Sequence, residues 1–208
     1  TARMILAVAD ENGNILGLYR MPDATTFSIG VAVAKARNDA YYDSANLQPQ
    51  DQLPGVPVGA SFTSRTFRYL AAPRYPISVT GAPPGFFSSL NDPNISQQSA
   101  LQTGPALPPS AYNSILLHNS FFPNSNFHAP PSPFQDGVVF FPGSSGVYVG
   151  GGLVGGWGVS GDGVDQDDFI TSGGITGFDA PSALKADNVV FRNVRLPYRK
   201  DPRNPLQI

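Results

Sequence analysis

The sequence has no cysteine and only two histidines among its 208 residues. Disulfide bonds and thiolate chemistry are therefore excluded. Charged residues make up 13% of the chain, about half the usual share. The net charge of −2 gives no electrostatic case for nucleic-acid binding. No stretch approaches the roughly 18 continuous apolar residues that a membrane-spanning helix needs.

Lysine and glutamate are also scarce. Glu11 is the single glutamate among 15 acidic residues, and neither Lys nor Arg occurs between Arg74 and Lys185. This composition, with abundant Ser, Asn, Gln, Gly and Pro, favours an exported protein that is secreted, periplasmic or extracellular. The sequence begins without a signal-peptide pattern, which fits a cytosolic chain, a processed one or a piece of a longer protein. Because its first apolar run begins by Met4, we expect a C-terminal product of a longer chain, or a preceding helix that is supplied elsewhere.

Two apolar runs near the start of the sequence predict a β-hairpin. Met4–Ala9 and Ile15–Met21 flank an Asn12-Gly13 pair. This pair favours a type I′ turn, because both central residues of that turn need a positive φ. Residues from Pro22 onward then predict a helix through about Tyr42, with small residues that would let it lie close against a sheet.

A second informative stretch lies towards the other end of the chain. Val138–Phe141 and Gly146–Ser160 are predicted as strands around a Pro142-Gly143 turn, and a helix is predicted over Asp165–Ile175. Eleven of the 22 glycines fall within Gly137–Gly163. Glycine within strands is typical of bulges, or of close approach by another backbone or a ligand.

A long insertion separates these two stretches. The segment from Pro73 to Pro142 holds 13 of the 21 prolines and is rich in phenylalanine. A short capped helix is predicted just before it, from Thr63 onward. We predict a single domain over 1–208 with an insertion at about 73–136 that wraps over the domain or contacts a neighbouring subunit. An extended C-terminal arm is predicted over 185–208.

Four segments are informative when taken together: AVADENGNILGLYRM at Ala7–Met21, AVAKAR at Ala32–Arg37, Ser64-Arg65-Thr66, and GGWGVSGDGVDQDD at Gly155–Asp168. In their order and spacing they resemble the GlcG/HbpS-like haem-binding family in its secreted, large-insert form. The last piece resembles the family's GxIGVSGG…QDE signature, with Trp157 at the usual aliphatic position and Asp168 in place of Glu.

The resemblance implies an α+β fold in which an antiparallel sheet of roughly five strands is packed by helices, as in profilin-like or PAS-like domains. It also implies frequent assembly into oligomers and, in some members, the binding of haem or a corrinoid. The family's N-terminal helix has no counterpart in this sequence. Any pocket wall that it builds would therefore be absent or would come from another chain.

Haem iron needs an axial donor, most often His and sometimes Tyr, Met or Cys. The candidate metal ligands are His118 and His128, both in the insertion, where nearby aromatic residues could sandwich a porphyrin. The alternative is that both are polar loop histidines. Thr66 is a further candidate on the resemblance, because one branch of the family offers a threonine to iron in this segment.

Four more residues are candidates for cofactor binding. Arg20, Lys35 and Arg65 could hold haem propionates, and Tyr42 could line the pocket. Solvated charges or helix-end pairing explain the three cations at least as well, and aromatic core packing is the simpler explanation of Tyr42. The aspartates within Asp162–Asp168 invite a calcium site, but their spacing is not that of an EF-hand, and helix capping explains them with fewer assumptions.

No Ser/His/Asp set and no paired carboxylates stand in a recognisable catalytic context, so an enzymatic activity would depend on a bound cofactor. An oxidative haem-degrading or small-acid-processing enzyme therefore ranks last among three function hypotheses, and the other two are as follows. The first is a non-catalytic domain of an exported protein that binds haem, another tetrapyrrole or a small ligand. The second is a structural or assembly subunit with a vestigial pocket, which forms an oligomer or filament. Its partner would be a second copy or a chain that supplies the missing N-terminal segment.

Overall fold

The computed structural model describes residues 2–47, 49–88 and 138–200, which form an α+β fold. The strands of the main sheet are β1 (Met4–Asp10), β2 (Ile15–Arg20), β3 (Ser144–Val149) and β4 (Gly152–Gly161). Their order is β2-β1-β4-β3, and all neighbours are antiparallel. A separate two-stranded ribbon consists of β5 (Val190–Phe191) and β6 (Val194–Arg195). The predicted antiparallel α+β architecture is confirmed, with the described strands divided between a sheet of four and a ribbon of two.

The predicted N-terminal hairpin is formed by β1 and β2. Its connection differs from the predicted type I′ turn, because Gly13 has a positive φ of 81° and Asn12 does not. The Asp10 carboxylate closes the turn instead, by accepting hydrogen bonds from the backbone N–H groups of Asn12 and Asn14 at 2.9 and 2.8 Å. A carboxylate that bonds the following backbone in this way is a common device in turns.

Strand β4 joins the two informative stretches of the sequence into one sheet. It pairs along the whole of β1, from Met4 opposite Gly161 to Asp10 opposite Gly155. The prediction that the front hairpin and the glycine-rich rear segment share one sheet is therefore confirmed. The rear segment itself is a hairpin of β3 and β4 that turns at Gly150 and Gly151, both with positive φ.

Three α-helices of the described residues pack on this sheet or beside it. They are α1 (Phe27–Tyr42), α2 (Ser64–Leu70) and α3 (Val164–Gly174). Short 3-10 turns occur at Pro49–Asp51, Ser182–Leu184 and Ala186–Asn188. All three predicted helices are present, and α2 has a capping box in which Thr63 and Thr66 each bond the other's backbone.

The glycines of β4 allow α1 to lie directly against the sheet. A Cβ added at Gly156 would overlap the carbonyl oxygen of Ala36, and one added at Gly158 would overlap that of Ala32. The facing helix surface is made of equally small residues, including Ala40. The strand glycines therefore mark the approach of another backbone, which was one of the two predicted reasons for them.

The predicted strand at Val138–Phe141 was wrong. These residues lie outside any strand. The backbone N–H of Val139 donates to the side-chain oxygen of Asn38 on α1 at 2.7 Å, so a helix side chain takes the place of a strand partner. Val138 and Val139 are fully buried, which explains why this segment has the apolar pattern of a strand.

Most of the predicted insertion, residues 89–137, lies outside the described residues. The single-domain boundaries and the missing N-terminal helix therefore stay predictions. Within the described ranges, no helix is both long and apolar enough to span a bilayer.

Candidate functional site

Helix α1 carries a buried polar stripe towards the β3–β4 side of the sheet. Lys35, Asp39 and Asp43 follow each other at intervals of four residues, which places them on one face of the helix. All three are buried. Buried ionisable groups are costly unless they are paired, so each needs a partner from another element.

The Lys35 ammonium group is completely enclosed and has three acceptors. It donates to the backbone carbonyl oxygens of Pro142 and Val159 at 2.8 and 2.5 Å and to the Asp167 carboxylate at 3.0 Å. Burial lowers the pKa of Lys35, and the nearby Asp167 charge opposes that shift. Burial likewise raises the pKa of Asp167, against the effect of Lys35. This ion pair ties α1 to α3 and to the strand ends.

Asp43 is held by three donors from two segments. Its carboxylate accepts hydrogen bonds from the Ser61 hydroxyl at 2.8 Å, the Phe62 backbone N–H at 2.6 Å and the Tyr148 hydroxyl at 3.3 Å. Burial raises the pKa of Asp43 to about 8, although these three hydrogen bonds favour the charged form. Gly146 of β3 makes space for the Asp43 carboxylate, because a Cβ at that position would overlap it.

Asp39 is the exception within the stripe. It is fully buried, and neither of its carboxylate oxygens has a hydrogen bond of normal geometry. Burial and the neighbouring Asp43 raise its pKa well above the ordinary value, while Ser144 and Lys35 act in the opposite direction. Burial therefore favours the neutral form of Asp39, since an unpaired buried charge is far more costly than a neutral carboxyl group.

A second ion pair lies beside the first. The Arg65 guanidinium of α2 donates to the Asp168 carboxylate of α3 at 2.7 Å, and the backbone N–H of Lys200 donates to the same oxygen at 3.0 Å. The Thr66 hydroxyl donates to the carbonyl oxygen of Pro197 at 2.6 Å. Both α2 side chains that were predicted to bind a cofactor are therefore bonded within the domain.

Residues Leu196–Lys200 belong to the predicted C-terminal arm and alone are called the arm from here on. They cover the two ion pairs and Asp43 from outside. Leu196 and Tyr198 are buried, and the Tyr198 hydroxyl is 3.2 Å from that of Ser61. Arg199 donates to both carboxylate oxygens of Asp179 at 3.0 and 2.9 Å and also bonds Ser145 at 3.1 Å. Although burial raises the pKa of Asp179, hydrogen bonds from Arg199 and Lys185 bring it below the ordinary value. The arm is thus a fixed part of the fold within the described residues.

The predicted site residues are placed as follows. Lys35, Arg65 and Thr66 lie in the network under the arm, and Tyr42 packs edge to face against Phe67 and Phe87 in the aromatic core. Arg20 lies apart, at the end of β2, where it donates to the carbonyl oxygen of Ala24 at 2.9 Å. His118 and His128 lie outside the described residues. All seven assignments to a cofactor or metal stay predictions.

Sequence reasoning missed the α1 stripe and the part played by the arm. The repeat of Lys35, Asp39 and Asp43 at helical spacing, among alanines and valines, was the signal that could have revealed buried polar groups. The proposed capping role for the α3 aspartates was incomplete, since Asp167 and Asp168 make ion pairs with other helices. No group of three or more acidic or histidine side chains in the described ranges could hold a metal ion, which gives the calcium interpretation no support.

The described residues do not by themselves fit a haem. The two cations of the network, Lys35 and Arg65, are paired with Asp167 and Asp168, and each of these aspartates has a second buried carboxylate oxygen without a hydrogen bond, which would repel a propionate. A cleft of about 160 Å³ on the described surface lies beside the β1–β2 turn and is lined by Glu11, Arg37 and Tyr41 among others. Pockets for drug-sized ligands start at about 300 Å³.

No family model and no curated protein matches the chain. Several solved structures align with it, among them the following three. The Klebsiella pneumoniae protein ORFY, of the family DUF336, is 17% identical with a TM-score of 0.36, over 80% of this chain and 68% of that one. A complex of PduOC with haem is 18% identical with a TM-score of 0.37, over 87% and 82%. A double mutant of Streptomyces reticuli HbpS is 19% identical with a TM-score of 0.40, over 85% and 71%.

At TM-scores below 0.5, the alignments carry no argument about a site, a ligand or a partner of this chain.

Proposed function

We propose that this chain is a non-catalytic structural domain that self-associates, and that the interior region predicted to bind a ligand is vestigial. The observation that carries the proposal is the closure of that region by the chain itself. Lys35, Arg65 and Thr66 have their polar atoms bonded to Asp167, Asp168 and Pro197. An incoming ligand would have to replace these contacts and displace the arm, with a cost for every buried group left unpaired.

The absence of an exposed catalytic constellation in the described residues supports a role without turnover. The perturbed carboxyl groups, Asp39 and Asp43, are enclosed under the sheet and the arm. A general acid or base must come within hydrogen-bond reach of its substrate. We also place the protein outside the cytosol as part of this proposal, on the scarcity of lysine and glutamate in the sequence.

Haem binding is the second candidate function. It is supported by the motif resemblance and by the two histidines and the aromatic residues of the insertion, all of which are sequence observations. Since the described residues do not fit a haem, binding would depend on His118 or His128.

Sedimentation velocity and hemin titration of the same preparation test both candidates. We expect the sedimentation coefficient to increase as the protein concentration is raised from about 1 to 300 µM, because self-association follows mass action. We expect hemin to show the same Soret band with and without the protein. A monomer at every concentration would contradict self-association. A Soret shift that is lost in H118A or H128A would establish the second candidate and show that the ligand site is not vestigial.

A further inference from the structure

Strand β2 forms an open edge of the main sheet. Within the described residues it pairs with β1 on one side and with no strand on the other. Its apolar side chains are unusually exposed, at 69% for Leu16, 49% for Leu18 and 60% for Tyr19. An edge strand with free backbone donors and acceptors and exposed apolar side chains is a template for pairing with a further strand.

The usual devices that block edge pairing are few along β2. The strand contains no proline and no lysine. A β-bulge interrupts the pairing between Val8 and Ala9, opposite the first residues of β2, and leaves Gly17–Arg20 in regular register. The half of the strand furthest from the turn is therefore free to pair.

The two ends of β2 carry opposite charge. The charged residues at the turn are Asp10, Glu11 and Arg37. The Arg37 guanidinium donates to the carbonyl oxygen of Gly13 at 2.9 Å. The charged residues at the other end are Arg20, Arg3 and Asp23. Asp23 forms an ion pair with Arg3 at 3.2 Å. The turn end of β2 therefore has a net charge of −1, and the opposite end has a net charge of +1.

We propose that β2 of one copy pairs antiparallel with β2 of a second copy of this chain. An antiparallel pair related by a two-fold axis brings the acidic turn of each copy beside the basic strand end of the other, so that the charges attract at both ends. The pairing would extend the sheet to eight strands across the dimer and cover the exposed Leu18 and Tyr19 side chains. This inference names the contact for the self-association proposed above and depends on it.

The first test places a charge in the centre of the proposed contact. In L18K, two lysines would approach each other across the axis, and we expect the dissociation constant to rise by at least about tenfold. The matched control is V79K, because Val79 is also 49% exposed but lies outside any strand. It should leave the dissociation constant unchanged. Far-ultraviolet circular dichroism and thermal melting show that both variants are folded.

The second test uses the opposite charges at the strand ends. E11R alone should weaken association, because it places positive charge at both ends of the contact. E11R combined with R20E should restore association, because the ends are again opposite in sign. A double variant that associates as weakly as E11R would contradict the pairing.

The third test measures distance. Because the chain has no cysteine, L18C gives a single position for a nitroxide label. Neighbouring strands lie about 4.8 Å apart, so the two labels of a dimer should be within about 20 Å by dipolar spin resonance. If the chain associates, but L18K has no effect and the labels are more than about 30 Å apart, this inference fails and self-association stands. If the wild-type chain is a monomer at all concentrations, both fail.

Discussion

The two edges of the main sheet differ in how they are covered. At β3, the backbone N–H of Tyr148 donates to the carbonyl oxygen of Phe178 at 2.8 Å, and the Ser144 hydroxyl accepts the N–H of Ser64 at 2.8 Å. Arg199 of the arm bonds Ser145 next to it. At β2, the apolar side chains are exposed and no described strand pairs with the outer side.

This difference shows that closing an edge takes several distant segments. Strand β3 is covered by α2, by the segment after α3 and by the arm, all far from it in sequence. It is also the edge beneath which the ionisable groups of α1 are buried. Strand β2 follows directly from β1 by a short turn and receives no such cover in the described residues. We infer that the covered edge determines stability and the open edge determines association.

The largest effect is expected from removing the cation beneath the covered edge. K35M leaves the Asp167 carboxylate and two carbonyl oxygens without their donor. Breaking a buried pair in this way costs about 3–5 kcal/mol, which urea denaturation would measure as a lower free energy of unfolding. R37M changes a half-buried cation on the same helix that bonds the turn next to β2, and its effect should be smaller by at least about 2 kcal/mol. If K35M and R37M lowered the free energy of unfolding equally, the covered edge would not be the one that determines stability.

A smaller effect is expected from filling the space between α1 and β4. G156A places a methyl group against the Ala36 carbonyl, so the helix or the strand must shift. Overpacking of this kind costs about 1–3 kcal/mol. The control is G17A on β2, where an added Cβ meets nothing within 4 Å. It should be neutral or stabilising by up to about 1 kcal/mol, because glycine in a strand is entropically unfavourable. Thermal melting measures both variants, and a larger fall in melting temperature for G17A than for G156A would contradict this prediction.

The sequence was sufficient to predict the elements whose signals are local. The hairpin of β1 and β2, the helix through Tyr42 and the close packing of helix and sheet follow from periodicity, turn residues and the distribution of glycine. The strand at Val138–Phe141 was wrong because burial alone produces the same apolar run, and its backbone bonds Asn38 instead. Nothing within the segment itself could have shown that partner.

The candidate site was harder to predict because its partners are far apart in sequence. Lys35 contacts Asp167, Arg65 contacts Asp168, and Thr66 contacts Pro197, at separations of 132, 103 and 131 residues. The sequence left Lys35 and Arg65 open between haem propionates, solvated charges and helix-end pairing. Only the fold shows that both cations are paired with aspartates inside the chain.

The last prediction concerns pH and acts on the covered edge through Asp43. Burial raises the pKa of Asp43 to about 8 in the folded protein, from 3.8 for the ordinary group. Between these values the folded state holds a proton that the unfolded chain has released. The free energy of unfolding should therefore fall by about 1.4 kcal/mol for each pH unit, and level off above about pH 8. The raised pKa of Asp39 acts in the same direction.

The variant D43N removes one of these two protons, so its free energy of unfolding should fall less steeply between about pH 5 and 7. The difference in slope should approach about 1.4 kcal/mol per pH unit. D187N, at a half-exposed position, should keep the wild-type slope. Ionisation of Asp43 at high pH places a buried charge beside β3 and the arm, so both should loosen while β2 is unchanged. Hydrogen exchange at pH 6 and 8, corrected for intrinsic rates, would show this as a loss of protection at β3 and the arm but not at β2, whereas equal changes at β2 and β3 would mean that the two edges share one stability.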